Sequence, residues 1–352
     1  MNRYETKLAD VVASAEASLR DCLVVIEKHG VETVHVVDER DRLVGVLDAT
    51  AIHQALIAGA GMADPAREHV HPPVATVPPD HSRAHVLDVM RALRIAELPV
   101  VDASGRVVGV HAGQRVIGGD RRDNWAVLMA GGRGTRLAPL TDTVPKPMLP
   151  VAGRPILERL VLHLVGMGID QIFISVNHLR DVIEAHFGDG ARFGCSITYL
   201  REEPNQPLGT GGPLGLLRSH APAAPVLVMN GDLVTEFAVG DLLDTHAEAG
   251  VVATVATSAH QHQVPFGVLE ADRGRRLRRI VEKPTVSWSV NAGIYVIEPR
   301  LLDRIPPGEL FPITSLLDDC LHRGEPVGLW RLHEGWQDIG RPEELARARG
   351  DR

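Results

Sequence analysis

Cysteine is scarce: Cys22, Cys195 and Cys320 are the only three in 352 residues. They lie far apart and form no C-x-x-C pair. That excludes a readable zinc or dithiol motif and leaves buried, reduced thiols as the expectation. Long basic runs are missing too, and the formal net charge is −8, so no nucleic-acid partner is expected. No apolar run reaches membrane-spanning length, and the first ten residues lack the apolar core of a secretory signal. A cytoplasmic protein with no membrane partner is expected. Two familiar nucleotide loops are absent as well. The Walker pattern closes on G-K-[ST], whereas the glycine-rich loop here closes on Gly134-Thr135-Arg136. The dinucleotide fingerprint needs G-x-G-x-x-G, and the spacing of Gly132, Gly134 and Leu137 breaks it. Neither an ATPase nor a dehydrogenase is favoured.

The length suits two domains, and the composition is ordinary for a soluble globular protein. The first part is governed by an internal repeat. Val36-Val37-Asp38 through Val44-Gly45-Val46 aligns with Val100-Val101-Asp102 through Val108-Gly109-Val110 at an offset of 64 (100 − 36). Each copy reads as strand, polar turn, strand. Helical patterns precede both copies, at 15–28 and 83–95, and another follows the first, at 51–58. This βαββα duplication resembles a tandem pair of CBS motifs. Such pairs are regulatory modules that often hold adenine nucleotides between the copies, in part through an acid ending the pattern G-V-[VI]-T-x-x-D. Here the copies end at Ala51 and Arg115 instead. A dimerisation or packing module is therefore as good a reading as an adenine-nucleotide sensor. A polar, glycine-containing hinge at 118–123 closes this part. The expected division is 1–118, a linker at 119–123, and a second domain at 124–352.

The second domain is organised around residues 125–151. An uncharged strand at 125–129 runs into Gly131-Gly132-Arg133-Gly134-Thr135-Arg136, and Lys146 follows between Pro145 and Pro147. Glycines let backbone N–H groups approach an anion. Arg136 can fork two donors onto phosphate oxygens, and Lys146 adds a compact charge. The prolines are expected to hold that segment extended. Strand, phosphate cradle and two kinds of cation describe a polyphosphate site. Downstream, strands at 172–176, 197–200 and 226–229 alternate with helical patterns at 156–167 and 180–187. That argues a mostly parallel sheet, with ligands beyond the carboxyl ends of its strands. The loop after Met129 and Asn177 after Val176 both fall there. A helix near Pro213 is expected to aim its N-terminus at the ligand. Asp232 ends a strand and is a candidate Mg²⁺ ligand, although a turn aspartate is the commoner role for N-G-D. His260 and His262 are read as solvated loop residues, and the arginine cluster 275–279 as a solvated hairpin.

The run A-G-G-R-G-T-R-L-x-P-L-T…P-K-P-M-L-P-V resembles the signature of the sugar-1-phosphate nucleotidylyltransferases, and later motifs of that family recur in order across residues 124–350. The resemblance implies a Rossmann-like α/β nucleotidyltransferase domain, preceded here by the smaller α+β CBS-like pair. It implies transfer of a nucleoside monophosphate from an NTP to a sugar 1-phosphate, with Mg²⁺ as cofactor. By the same resemblance, Gly131, Gly132, Gly134 and Thr135 cradle phosphates, Arg136 neutralises the leaving phosphates and Lys146 bridges the reacting ones. Glu202, Gly209 and Thr210 belong to a base-recognition loop whose L-G-T-G-G form leans toward GTP. Gly267, Glu282, Asn291 and Asn177 read the sugar, and Lys283 anchors its phosphate. Asp232 and Asp338, the latter in W-x-D-[IT]-G-x-P, hold the metal. A homo-oligomer is expected, and the final short helix is not expected to lead into a hexapeptide-repeat domain. Two alternatives stand beside this: a nucleotide-sensing protein with a degenerate transferase domain, or an alditol- or choline-phosphate cytidylyltransferase on the same fold.

Overall fold

The computed structural model describes residues 7–79, 81–112, 121–204, 206–333 and 335–350, with the backbone alone of 115–117. Residues 118–120 of the expected hinge, and 113 and 114 at the end of the second repeat, lie outside the described residues.

The repeat is visible element by element. The first copy holds β1 (Val12–Ser14), α1 (Leu19–His29), β2 (Thr33–Val37), β3 (Leu43–Asp48) and α2 (Ala49–Ile57). The second holds α3 (Arg83–Leu93), β4 (Glu97–Val101), β5 (Val107–Ala112) and β6 (Arg115–Ile117). Adding 64 to the bounds of α1, β2 and β3 returns those of α3, β4 and β5. The local causes repeat at the same offset. Ser18 and Ser82 cap their helices by accepting from Asp21 N–H and His85 N–H. Asp38 and Asp102 each turn the chain by accepting two backbone N–H groups. The duplication is incomplete at its end. A strand, β6, stands where an exact copy of α2 would fall, so the second half is not βαββ followed by a helix.

The second part runs β7 (Ala126–Met129), β8 (Pro150–Val151), β9 (Arg154–Pro155), α4 (Ile156–Gly166), β10 (Gln171–Val176), α5 (Arg180–Phe187), β11 (Ser196–Arg201) and α6 (Leu214–Leu217). It continues with β12 (Val226–Asn230), β13 (Leu233–Thr235), α7 (Val239–Ala249), β14 (Ala253–Gln263), β15 (Val268–Ala271), β16 (Leu277–Val281) and β17 (Thr285–Ile297). It ends with α8 (Ile313–His322), β18 (Val327–Arg331), β19 (Trp336–Asp338) and α9 (Pro342–Arg349). Seven strands form one sheet in the order β11-β10-β7-β12-β17-β14-β18. β7 and β12 are parallel, as are β14 and β18, while β17 is antiparallel to both its neighbours. The sheet is thus mostly parallel, in an α/β fold, as the strand–helix alternation implied. Its apolar strands bury Val127, Val228, Val255 and Tyr295 with Leu214 and Leu316.

β14 and β17 continue past the β-bulge as a two-stranded ribbon from Thr257↔Asn291 to Gln263↔Thr285, exposed from Ala259↔Ser289 onward, and the hairpin β15–β16 lies between them in the chain. The arginine cluster sits in that hairpin, as expected. His260 and His262 do not lie in a loop: they are strand residues opposite Trp288 and Val286. The chain divides into two compact units. One comprises Met1–Asp123 with Glu158–Ile172 and Glu184–Thr198; the other comprises Asn124–Leu157, Phe173–Ile183 and Tyr199–Arg352.

Candidate active site at the ends of two parallel strands

β7 and β12 pair in parallel, with Leu128 opposite Met229 and Met129 opposite Asn230. Both chains therefore leave the sheet at the same edge. β7 delivers the glycine turn there, and β12 delivers Asn230-Gly231-Asp232. The turn is held by Ala130 N–H donating to the Ser175 carbonyl, and Gly231 N–H donates to the Met129 carbonyl.

Two glycines are demanded by space. At Gly131 a Cβ would lie 2.6 Å from Glu202 Oε1. Gly134 adopts φ +64° and a Cβ there would lie 2.9 Å from the Lys146 Cβ. Thr135 and Arg136 follow in a 3₁₀ turn, Thr135–Leu137. Lys146 opens another, Lys146–Met148. The flanking prolines do not hold this segment extended: Met148 N–H bonds to the Pro145 carbonyl and closes a turn instead. That turn aims the Lys146 ammonium at the Asp232 carboxylate, with which it forms an ion pair.

Asp338 reaches the same place through a short ladder. β13 leaves Asp232 and pairs with β19 antiparallel, Leu233 opposite Asp338, and Ile339 N–H donates to the Asp232 carbonyl. A separation of 106 positions (338 − 232) is thereby reduced to neighbouring strands. Lys146 Nζ lies 3.8 Å from Asp338 Oδ1. Gly132, Gly134, Thr135, Arg136, Lys146, Asp232, Asp338 and Gly340 line one cleft of about 300 Å³.

The electrostatics of the cleft follow from two carboxylates sharing it. The Asp338 carboxyl is raised above the ordinary carboxylate range, first by burial and then by the charges of Asp232 and Glu344, against the lowering effect of Lys146 and Arg136. Asp232 Oδ1 is buried with no hydrogen-bond partner. A buried, unpartnered carboxylate oxygen costs free energy unless a cation or donor meets it. Two hard oxygen ligands facing a phosphate cradle suit Mg²⁺, which takes few protein ligands and completes its shell with phosphate and water oxygens. Among the described residues no group of three or more His, Cys, Asp or Glu forms a metal cluster.

The remaining expected residues lie outside that lining. Glu202 is buried and accepts from Ser175 Oγ (2.7 Å), Asn177 Nδ2 (3.4 Å) and Leu208 N–H (2.8 Å). It ties the loop after β11 to the strand end carrying Asn177. The Thr210 hydroxyl accepts from Ile313 N–H at the start of α8, and Gly209 (φ +77°) packs against Leu310 and Phe311. Both Gly211 and Gly212 N–H groups donate to the Phe311 carbonyl. The first N–H groups of the four-residue α6 are taken as well, Leu214 by the Gly211 carbonyl, Gly215 by Gly212 and Leu216 by Pro213, so it does not aim free N–H groups at a ligand, contrary to the expectation for the helix near Pro213. Gly267, Glu282 and Lys283 are exposed in the segments that join the ribbon to the β15–β16 hairpin, with Glu282 beside Gly267. Asn291 has its amide engaged at both ends: Oδ1 accepts from Gly293 N–H and Nδ2 donates to Tyr295 Oη. Sequence reasoning missed Gly340, which lines the cleft, and Glu344, which bonds it. The acidic residue three positions into a helix was the available signal.

The nucleotidyl transferase family model matches residues 125–351, the whole span over which the cleft is assembled. The chain belongs to the nucleotidyl transferase family. CBS domain models match residues 7–58 and 66–110. The family's members similar to this chain include a mannose-1-phosphate guanylyltransferase of Mycobacterium tuberculosis, 35% identical over 237 residues and 64% of each chain. They include a UTP–glucose-1-phosphate uridylyltransferase of Synechocystis, 32% identical over 61% of this chain and 60% of that one. The chain thus spans less than two thirds of the length of these relatives. Among solved structures, HddC from Yersinia pseudotuberculosis, also determined complexed with GMP-PN, is 25% identical with a TM-score of 0.51, covering 64% of this chain and 98% of that one. No helix among the described residues is long and apolar enough to cross a membrane.

Proposed function

We propose that the chain transfers a nucleoside monophosphate from an NTP to a sugar 1-phosphate and releases pyrophosphate. One observation carries this reading: Lys146 is ion-paired with Asp232 and 3.8 Å from Asp338, beneath a glycine turn bearing Arg136. A phosphate oxygen of the sugar 1-phosphate attacks the α-phosphorus. The new P–O bond forms as the bond to the β-phosphate oxygen breaks, and pyrophosphate leaves with its electron pair. The nucleophile is already anionic, so no general base is required. The barrier is electrostatic, and catalysis consists of positioning and charge neutralisation.

In this reading Gly131, Gly132, Gly134 and Thr135 present the turn to the phosphates, and Arg136 neutralises the leaving pyrophosphate. Lys146 exchanges its carboxylate partner for the α- and incoming phosphates. Asp232 and Asp338 would hold Mg²⁺, which supplies further charge neutralisation when bound. Glu202 orders the loop containing Gly209 and Thr210 at the base. Glu282, Gly267, Asn177 and Asn291 are assigned to the sugar side and Lys283 to its phosphate. GTP is the preferred nucleotide, on the L-G-T-G-G loop and the guanylyltransferase names among the relatives. The test is a matrix of four NTPs against several hexose 1-phosphates with Mg²⁺. Pyrophosphate release with at least one pair, highest with GTP, is expected. Release only with an alditol or choline phosphate would move the substrate class, and silence throughout would favour the sensor.

A further inference from the structure

We propose that Glu344 is a positioning residue, which fixes the turn from Gln337 to Gly340 and so holds the Asp338 carboxylate at the cleft. This rests on the reading of Asp338 as a cation ligand given above.

Asp338 ends the β13–β19 ladder, and after Ile339, whose N–H donates to the Asp232 carbonyl, β13 gives the turn no further partner. A second constraint comes from the first turn of α9. The Glu344 carboxylate (Oε2) accepts the Gly340 N–H at 2.7 Å. The Glu344 backbone carbonyl accepts from Gln337 Nε2 at 2.9 Å. One residue thus grips the chain on both sides of Asp338. The placement is unusual for a helix cap. Arg341 is the N-cap of α9 and makes no side-chain cap, and Pro342 follows without an N–H. Glu344 reaches past both to Gly340, which lines the cleft and lies near Arg136 and Asp338. Glu344 is not itself among the lining residues. Removing a partner that orients a metal ligand typically costs about 10–100-fold in metal affinity or activity.

The alternative role is a plain helix cap, and two readouts separate them. The first is the dissociation constant for Mn²⁺, measured by electron paramagnetic resonance with a non-hydrolysable GTP analogue present. The second is kcat and KM for each substrate. Glu344→Ala is expected to weaken Mn²⁺ binding and lower kcat by about tenfold each, the low end for loss of such an orienting partner. KM for the sugar 1-phosphate should stay within about twofold, since uniform binding is untouched. Glu344→Gln keeps an acceptor for Gly340 N–H and should recover most of both losses. Gln337→Ala removes the second tie and should show a smaller effect of the same kind, which keeps the test open if Glu344→Ala fails to fold. Unchanged Mn²⁺ binding and kcat, with only a lower melting temperature, would reduce Glu344 to a cap. Equal losses in Glu344→Gln and Glu344→Ala would replace positioning by charge and overturn the proposal. Wild-type protein that binds Mn²⁺ but turns over no substrate would sink the functional reading while leaving the Mn²⁺ comparison decisive for Glu344.

Discussion

Lys146 is held with 16% of its side chain exposed, between two carboxylates. Removing it leaves Asp232 partly buried without its ion-pair partner and, on the proposed reading, takes a cation away from the reacting phosphates. Lys146→Ala and Asp232→Asn are each expected to lose well over tenfold in turnover, roughly a few kcal/mol in barrier, with the fold retained. Steady-state kinetics beside circular dichroism checks this, and near-normal turnover would remove the residue from the mechanism. A second residue makes a prediction about pH. His35 is buried on β2, and burial pushes its imidazole down from 6.5 to about 4. The unfolded chain takes up a proton below about pH 6.5 that the folded chain refuses until about pH 4. The stability it contributes is therefore complete above 6.5 and lost as the pH falls from 6.5 to 4, at about 1.4 kcal/mol per pH unit. Melting curves of wild type and His35→Val should diverge in slope across that window, the variant being the less pH-sensitive. Parallel slopes would show that His35 is protonated in the fold. Lys146 was readable because P-K-P stood behind a glycine loop. His35 was not, because one histidine in an apolar strand has no pattern.

The glycine turn and the β13–β19 ladder are the two elements that make the site. At the turn, Gly131→Ala would drive a Cβ to 2.6 Å from the Glu202 carboxylate, which three hydrogen bonds hold in place. A loss of about 1–3 kcal/mol in stability is expected from such overpacking, with a fall in turnover. Full activity and an unchanged melting temperature would mean that Glu202 is free to move. The turn was legible because its chemistry is local: glycines, an arginine and a lysine in one span. The ladder was not. Three-residue strands carry almost no periodic signal, and nothing near Asp232 in the chain points to Asp338 except the order of family motifs. His260 and His262 illustrate the same limit. The run Ala259-His260-Gln261-His262-Gln263 has no apolar alternation, so it reads as a loop. It is a strand because Trp288 and Val286 pair across from it. The repeat was legible for the opposite reason, since caps and Asp turns are coded within a few residues. Its ending was not, because a strand replaces the helix there.

At the scale of the molecule, the compact units do not follow the sequence of the chain. Glu158–Ile172 and Glu184–Thr198 cluster with Met1–Asp123, and a Cβ on Gly166 would lie 3.2 Å from Arg83 Cβ. A chain beginning at Asn124 strips those two segments of most of their unit. It is expected to melt several degrees below the full chain, and equal melting temperatures would contradict that. The larger claim is that the cleft brings two anions together and cancels their repulsion. Its most direct test is the yield of nucleotide sugar, by mass spectrometry, against pyrophosphate released from GTP, mannose 1-phosphate and Mg²⁺. The account predicts the two products in equal amounts, neither formed when a substrate is omitted, and both lost in Lys146→Ala. Pyrophosphate without nucleotide sugar, or equal yields that persist in Lys146→Ala, would contradict it.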